Sequence, residues 1–441
     1  MSTRVCRYIV RLALIVIGAV SSARAHDILL GVNPHLMSNR GAQEAELPLI
    51  RIIGFNAVRD DALWSAVEER KGIYRIPPGW DAYVRDARRS GIEPLIILDY
   101  GNKYYDDSGK PTSPASIAGF VRYASFVVKH FQGQVNYFEI WNEWDTHAGG
   151  APSGDAADYA RLFDAVFPAL KKIDPTAVFL ASASAGGNDR WYEQIARLGI
   201  VSRADGVAVH PYVYPVKRRS GVISPADEAE RSAQEVVDIE KSMRQFDGGK
   251  EVQIYITEIG WTTSRDESGV KVQTAASLAQ RAFLLFSSLP YIRGVWWYDF
   301  VDDGANAENS QDRFGLVHQN LSYKLTATAI RQIARLIKNN NLTIGPASDL
   351  TKGLVELNRN VPGEASIIAW YVGDTGSPNR TRRGWTYVIA CDPAQKIERV
   401  ASGDSTQSVK ITAIPTVFSY HRNGCTHKTI RQMNRPMTRM R

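Results

Sequence analysis

Between residues 28 and 340 the chain alternates short apolar runs with longer segments in which apolar residues recur at helical spacing. This alternation is typical of repeated βα units around a parallel sheet. The predicted strands are 28–32, 55–59, 94–100, 137–142, 177–182, 206–210, 252–257 and 294–299. The predicted helices are 42–50, 80–90, 115–131, 155–173, 189–198, 226–246, 272–288 and 323–338. Eight units favour a closed α/β barrel, the (β/α)8 TIM barrel, over an open sheet, and we expect it to span residues 26–340.

After residue 340 the helical spacing ends and short runs of alternating apolar and polar residues replace it. The strands predicted there are 354–357, 366–372, 385–390, 398–400, 408–411 and 416–420. Short strands separated by Gly, Pro and Asn turns predict a β-sandwich domain over residues 341–425. Such a domain could bind carbohydrate or buttress the barrel, and the lack of a clear row of exposed aromatic residues favours buttressing. Residues 426–441 are basic and are predicted to form a disordered tail.

The first 25 residues resemble a secretory signal in layout. Arg4, Arg7 and Arg11 precede an apolar run that ends at the small residues Ala23 and Ala25. The run is shorter than the roughly 18 to 20 apolar residues that span a bilayer. We therefore expect cleavage after Ala25 and a periplasmic or secreted protein with no membrane span, the alternative being an uncleaved membrane anchor.

Composition narrows the function classes. The chain is 44% hydrophobic and 22% charged, as a globular protein with a substantial core would be. Much of the net charge of +7 comes from arginines in the signal and from the basic tail, so it does not require a nucleic-acid partner. Beyond the signal only Cys391 and Cys425 remain, and the sequence leaves open whether they form a disulfide or stay free. The cysteines and histidines lack metal-ligand spacing, so no metal is expected.

Two glutamates follow predicted strands at the end of the barrel where active sites are built. Glu143 comes after the fourth strand and precedes Trp144, and Glu258 comes after the seventh strand and is followed by Trp261. Each glutamate could simply pair with a buried Arg or Lys. Two carboxylates at the carboxyl ends of different strands, each near a tryptophan that can stack on a sugar ring, instead favour cleavage of a glycosidic bond.

Five segments carry a family resemblance. Residues 138–143, 210–212 and 254–261 resemble those of the clan A barrel glycoside hydrolases. Residues 58–74 and 314–317 are similar to family 39 and to related family 5 enzymes, which include β-xylosidases and endoglycosidases of bacterial exopolysaccharides. The resemblance implies that Glu143 is the general acid/base and that Glu258 is the nucleophile. Many clan members have Pro directly after the acid/base residue, and Trp144 at that position puts the shape of the loop in doubt.

The resemblance also implies roles for neighbouring residues. Asn142 would bind the sugar 2-hydroxyl, and Arg59 and Tyr212 would hold Glu258 ionised. Trp296 or Trp297 would form the floor of the cleavage subsite. The remaining residues expected near substrate are Tyr100, Asn102, Trp144, Trp261 and His210.

Two assignments come from the residues themselves. His210 could bind substrate or support the nucleophile, or it could be a core histidine satisfied by backbone groups. Glu139 is expected to pair internally with Arg59 rather than to touch sugar. We also expect Glu258 to have a lowered pKa and Glu143 a raised one.

Together these features predict a retaining hydrolase that acts within β-linked extracellular polysaccharides. The alternatives are an exo-acting enzyme of the β-xylosidase type and a non-catalytic polysaccharide-binding protein. The expected partner is a saccharide, with no cofactor and no nucleic acid, and the protein is expected to be a monomer.

Overall fold

The structure is a computed structural model, and it describes residues 28–38, 41–186, 189–213 and 228–339 together with a set of short C-terminal strands. The predicted signal segment lies outside the described residues. In the described part of the chain, no helix combines the length and the apolar character needed to cross a membrane.

Eight parallel strands close into a barrel in chain order, with β8 returning to pair with β1. The strands are β1 Leu29–Val32, β2 Ala57–Leu63, β3 Glu93–Asp99, β4 Tyr137–Ile140, β5 Val178–Ala181, β6 Gly206–Val209, β7 Ile254–Ile259 and β8 Ile292–Trp297. The predicted (β/α)8 barrel is therefore confirmed. Strands β2 and β7 run beyond their predicted ends, which places part of the candidate site on the strands themselves.

The outer ring consists of helices that follow the predicted positions within a few residues, except for a short helix directly after β2 that was not predicted. They are α1 Gln43–Ile53, α2 Trp64–Val67, α3 Trp80–Arg89, α4 Pro114–His130, α5 Ala156–Ile173, α6 Asp189–Arg197, α7 Glu228–Arg244, α8 Val272–Ser288 and α9 Leu325–Asn339. Capping residues determine where several of these helices begin or end. Ser113 and Asp155 accept hydrogen bonds from the backbone N–H groups of Ser116 and Asp158, so they cap α4 and α5. Gly54 ends α1 at a φ of 111°, which a side chain would strain.

Side chains alternate between the two faces of each barrel strand. On β2, Ala57 packs in the small cluster inside the barrel, whereas Val58 packs in the large cluster between the strands and the helices. The interior cluster is completed by Leu95, Ile97, Leu180, Ala183, Ala208, Tyr255 and Trp296. These side chains fill the barrel, so a binding site can form only above them, at the carboxyl ends of the strands.

The C-terminal part contains two antiparallel sheets. Their strands are β9 Asn341–Leu342, β10 Leu354–Asn358, β11 Glu364–Ala369, β12 Trp385–Cys391, β13 Thr406–Lys410, β14 Thr416–His421 and β15 Cys425–Arg431. One sheet has the order β14-β11-β10-β9 and the other has the order β13-β12-β15. Packing of the two sheets as a sandwich stays a prediction, and the predicted strand 398–400 lies outside the described residues.

The prediction of a disordered tail from residue 426 onward is wrong for residues 426–431. Residues 426–431 belong to β15, which pairs with β12 along its whole length. Thr426, Thr429 and Ile430 are residue types that favour a strand, and the basic residues between them obscured that pattern. The rest of the expected tail, residues 432–441, lies outside the described residues.

Candidate active site

A strained turn directly after β4 presents the first candidate carboxylate. Trp141 has a φ of 73° and Glu143 a φ of 46°, values that few residues other than glycine adopt. Asn142 lies between them, so the chain reverses sharply where the strand ends. Such strain persists only where the surroundings enforce it, and it is concentrated at functional sites. The turn brings both the amide of Asn142 and the carboxylate of Glu143 to the mouth of the barrel.

An irregularity in β7 presents the second carboxylate. The pairing of β7 with β8 shifts register between Ile256 and Ile259. Strict alternation would send Thr257 and Glu258 to opposite faces, yet Thr257 hydrogen-bonds a buried histidine of the site and Glu258 lines the cavity above the barrel. Strand irregularities of this kind often redirect a side chain beside an active site.

The two glutamates lie close together but have different partners. Carboxylate oxygens of Glu143 and Glu258 lie within 4.8 Å of each other. Glu258 accepts hydrogen bonds from Nη1 of Arg59 at 2.7 Å and from the hydroxyl of Tyr212 at 3.1 Å. Among the described residues, no lysine or arginine lies as close to Glu143, and its carboxylate is 2.8 Å from Nδ1 of His210. Two carboxylates this close suit the short spacing of retaining glycosidases, roughly 5 to 5.5 Å, better than the roughly 6.5 to 9.5 Å of inverting ones.

Burial raises the pKa of Glu143 to about 7, with a smaller contribution from the charge of Asp145. Arg59 and a hydrogen bond from Thr146 act in the opposite direction without cancelling the effect. Because a carboxyl group with this pKa keeps its proton near neutral pH, Glu143 can act as a general acid. The expected rise in the pKa of Glu143 is confirmed.

Arg59 organises the site from β2. Its guanidinium donates to Glu139 at 2.8 Å, to Glu258 at 2.7 Å and to the Asn142 amide oxygen at 2.8 Å. Burial opposes the charge of Arg59, but the carboxylates of Glu139 and Glu258 raise its pKa well above the usual value. The expected pairs of Arg59 with Glu139 and Glu258 are present. Because the guanidinium is planar and each of its three nitrogens donates a hydrogen bond, it fixes the positions of both glutamates and of Asn142.

The Asn142 amide is held in a defined orientation. Its oxygen accepts from Arg59, and its nitrogen donates to the hydroxyl of Tyr100 at 2.7 Å. One amide hydrogen remains for a ligand, since an amide nitrogen carries two.

His210 is fully buried at the end of β6 and bridges the segments that carry the two candidate carboxylates. Its Nδ1 is 2.8 Å from Glu143, and its Nε2 is 2.9 Å from the hydroxyl of Thr257. These partners are side chains, so the alternative of a core histidine satisfied by backbone groups is wrong. Burial lowers the pKa of His210, which keeps the ring neutral. The Thr257 hydroxyl can donate or accept, and it therefore suits either tautomer.

A cavity of about 350 Å³ lies over the two glutamates. Of the predicted site residues, its lining includes Arg59, Tyr100, Asn142, Glu143, Tyr212, Glu258 and Trp261. Trp261 is also anchored by a hydrogen bond from its indole nitrogen to Glu228 at 2.7 Å. The volume suits one sugar residue bound in the cavity.

The two tryptophans expected to form the floor do not line this cavity. Trp296 has no exposed surface and lies in the barrel interior, where a Cβ on Gly31 would be 2.1 Å from its ring. Trp297, next along β8, points the other way and packs with its centroid 5.9 Å from Trp261. Alternation along the strand sends both indoles away from the cavity. The next aromatic residue, Tyr298, lines it instead.

Asn102 and Trp144 are buried and take structural positions. Asn102 donates to the carbonyls of Trp64 and Glu68, which ties the loop after β3 to the loop after β2. The indole of Trp144 donates to the Asp155 carbonyl at 2.9 Å. Neither residue lines the cavity, so the expectation that they contact substrate is not supported by their placement.

The cavity lining includes polar and aromatic residues that were not assigned to the site from sequence, among them Asp61, Tyr298 and Phe314. Asp61 follows Arg59 by two positions on a strand that is longer than predicted. Alternation therefore puts both on the inner face, and this signal was present in the sequence. Tyr298 and Phe314 lie beyond β8, and only the loop geometry brings them together at a centroid distance of 5.6 Å.

Two groups of side chains among the described residues could hold a metal ion. One is Glu143, His210 and Glu258, whose ligand atoms already hydrogen-bond protein groups. The other is His35, Asp299 and Asp303 at the edge of the cavity. The absence of a metal and of a cofactor stays a prediction.

No family model matches the sequence, and no curated protein matches it. Similar solved structures include a family 39 glycoside hydrolase from the gut symbiont Bacteroides cellulosilyticus WH2, with a TM-score of 0.68 and 24% identity, covering 89% of this chain and 80% of that one. A monomeric β-xylosidase from Caulobacter crescentus CB15 has a TM-score of 0.60 and 16% identity, covering 91% of this chain and 97% of that one. A GH5_18 protein from Streptomyces cattleya in complex with GlcNAc has a TM-score of 0.56 and 16% identity, covering 73% of this chain and 83% of that one.

These likenesses establish the fold: the chain has a (β/α)8 barrel similar to those of the three structures.

Proposed function

We propose that the protein is a retaining glycoside hydrolase that acts within β-linked extracellular polysaccharides. The observation that carries the proposal is the pair of carboxylates at the ends of β4 and β7. Glu143 and Glu258 have oxygens within 4.8 Å of each other, and only Glu258 is bonded to a guanidinium. Glu143, after β4, is therefore suited to donate a proton, and Glu258, on β7, is suited to attack the anomeric carbon.

The reaction has two balanced steps. In the first, Glu258 forms a bond to the anomeric carbon while the glycosidic C–O bond breaks, and Glu143 gives its proton to the departing oxygen. In the second, Glu143 takes a proton from water, and the water oxygen displaces Glu258 from the anomeric carbon. The free amide hydrogen of Asn142 is placed to bind the sugar 2-hydroxyl, a contact that strengthens as charge develops on the ring.

Endo action is favoured by the shape of the site. A second cavity of about 750 Å³ adjoins the first and shares the lining residues His35 and Gln311 with it. Two neighbouring cavities offer more room than one sugar residue needs, which favours a polysaccharide as substrate. The alternative function is an exo-acting β-glycosidase, which the similarity to a β-xylosidase structure favours. The signal-like layout of residues 1–25 supports a periplasmic or secreted location.

A product profile tests the proposal. Wild-type protein and the Glu258→Ala variant are incubated with β-glucans, xylans, amino-polysaccharides and bacterial exopolysaccharides, and product sizes are followed over time. We expect oligosaccharides of mixed length from wild type and none from the variant. Monosaccharide as the only product would support the exo alternative. Absence of products from every glycan, with binding retained by both proteins, would replace the hydrolase with a polysaccharide-binding protein.

A further inference from the structure

The lining of the catalytic cavity is rich in carboxyl groups. They belong to Asp61, Glu143, Glu228 and Glu258; Glu143 has a raised pKa of about 7, and Glu228 accepts a hydrogen bond from the indole of Trp261. Arg59 is the one lysine or arginine among the described lining residues, and Glu139 and Glu258 already engage its charge. The chain as a whole has a net charge of +7, so the acidity of the cavity is a local feature and not a result of composition.

The adjoining cavity continues this character. The carboxylates in its described lining are Glu46, Asp302, Asp303 and Asp312, and that lining contains no lysine or arginine. Asp302 is paired with the buried Lys324, so it adds little negative charge. Asp303 is exposed and Asp312 is partly exposed at this cavity, and Asp312 accepts hydrogen bonds from the backbone of Asn306 and the amide of Asn309. A ligand that extends from the first cavity into the second would therefore pass along carboxylates at both ends.

An unsatisfied polar cluster lies between the two cavities. Asp299 is fully buried, and neither of its carboxylate oxygens has a hydrogen-bond partner. Its Oδ2 is 4.0 Å from Nε2 of His35, which also has no hydrogen-bond partner. His35 lines both cavities. Asp299 lines neither cavity, so His35 is the member of this pair that a ligand in the cavities can reach.

Asp61 forms the cavity wall on the other side of His35. One of its oxygens is 4.0 Å from Nδ1 of His35, and its side chain is partly exposed to the cavity. Asp99 lies behind it, fully buried, and its pKa is raised well above the usual value by burial and then by the charge of Asp61. Asp61 therefore presents its carboxyl group to the cavity in front of the buried Asp99.

We propose that the site recognises a polysaccharide carrying free amino groups, with a sugar ammonium bound between Asp61 and His35. The inference rests on the proposed hydrolase function and names its substrate class. An ammonium group supplies three N–H donors and one positive charge, and neutral hydroxyls or an N-acetyl group cannot supply that charge. An acidic sugar in the same position would be repelled by the carboxylates.

The test compares oligosaccharides that differ only in this charge. Fully deacetylated and fully N-acetylated oligomers of glucosamine and of galactosamine, matched in length and linkage, are titrated by calorimetry into the full-length Glu143→Gln variant. We expect deacetylated oligomers of at least one series to bind about ten to a hundred times more tightly, the range for a hydrogen-bonded charge. The preference is expected to weaken as salt is raised.

Further variants test which residues produce the preference for deacetylated oligomers. Adding Asp61→Asn is expected to remove most of the preference, and adding Asp303→Asn at the exposed rim to reduce it. Asp164→Asn changes the net charge equally but alters an exposed residue on α5 that pairs with Arg203, so the preference should be unchanged. Equal or tighter binding of the acetylated oligomers, no binding of either kind, or full preference in Asp61→Asn would overturn the inference.

The binding readout separates this inference from the hydrolase proposal. Preference for the deacetylated oligomers without any hydrolysis by wild type would support the amino-sugar site and contradict the hydrolase. Hydrolysis of neutral or acetylated glycans only would support the hydrolase and contradict the amino-sugar site.

Discussion

Glu143 and Glu258 are the same residue type, yet their surroundings differ. Arg59 and Tyr212 donate to Glu258, whereas Glu143 faces a neutral His210 in a buried turn. Hydrogen bonds and a cation stabilise a carboxylate, and burial without them stabilises the protonated acid. The two roles that we propose rest on this contrast, and the sequence motifs indicate both residues.

The pH dependence of activity follows from the raised pKa of Glu143. The acid is active when protonated, so kcat/KM is expected to fall as pH rises through about 7, the pKa of Glu143. When kcat/KM of the wild type is measured over a pH series, the midpoint of its decline at high pH, the basic limb, should lie near that value. In Glu143→Gln this limb should disappear, and turnover of substrates with poor leaving groups should fall by about 10² to 10⁴.

Two neighbouring variants should move the basic limb in opposite directions. Asp145 raises the pKa of Glu143 through its charge, so Asp145→Asn should move the limb to lower pH. Thr146 donates a hydrogen bond that lowers this pKa, so Thr146→Val should move the limb to higher pH. Shifts of the same sign in both variants would show that another group controls the limb.

At the scale of elements, strand alternation explains both the successes and the errors of prediction from sequence. It places Arg59 and Glu139 on the inner faces of β2 and β4, where they pair as expected. The same rule puts Trp296 inside the barrel and Trp297 outside it, so neither forms the expected floor. The register shift that turns Glu258 toward the cavity depends on the pairing of β7 with β8, which no local pattern reveals.

The loop after β4 depends on a buried cation that sequence reasoning did not identify. Lys110 donates to the carbonyls of Thr146 at 2.9 Å and of Pro152 at 2.7 Å, which ties the loop of the acid to the loop after β3. Burial lowers the pKa of Lys110 to about 8. Thr146 in turn donates to Glu143, so Lys110 acts on the acid through this loop and is a positioning residue.

Lys110→Met should therefore impair proton donation more than nucleophilic attack. Two buried carbonyls lose their donor, and we expect a loss of about 1–3 kcal/mol in the free energy of unfolding. The kcat for natural glycosidic bonds should fall, while aryl glycosides with good leaving groups, which need no proton, should keep most of their rate. Lys129→Met, at an exposed position on α4, is the control. An equal loss on both substrate types would indicate a merely structural role.

At the scale of the whole molecule, the barrel could be predicted because each of its eight strand and helix units has a clear pattern of apolar residues. The C-terminal part was harder, since short strands have weak patterns and basic residues hid β15 among expected tail residues. The sequence also could not set the distance between Cys391 and Cys425, whereas the sheet register pairs them directly across β12 and β15.

That register predicts a disulfide between Cys391 and Cys425 in protein made in an oxidising compartment. Directly paired residues of antiparallel strands have Cα atoms about 4.5 to 5.5 Å apart, within the range that a disulfide spans. Mass spectrometry of the unreduced protein should show the linked peptides, and the Cys391→Ser/Cys425→Ser variant should lose about 2–4 kcal/mol of stability. Two free thiols in protein isolated from such a compartment would contradict this pairing.

The roles of the two glutamates are tested most directly by chemical rescue with azide. Glu143→Ala and Glu258→Ala are each given an activated aryl β-glycoside of the sugar found in the product profile, and the glycosyl azide is identified by NMR. The account predicts the β-azide from Glu143→Ala, where azide attacks the covalent intermediate on Glu258, and the α-azide from Glu258→Ala, where azide replaces the nucleophile. The reverse pair of products would contradict the assignment of acid/base and nucleophile.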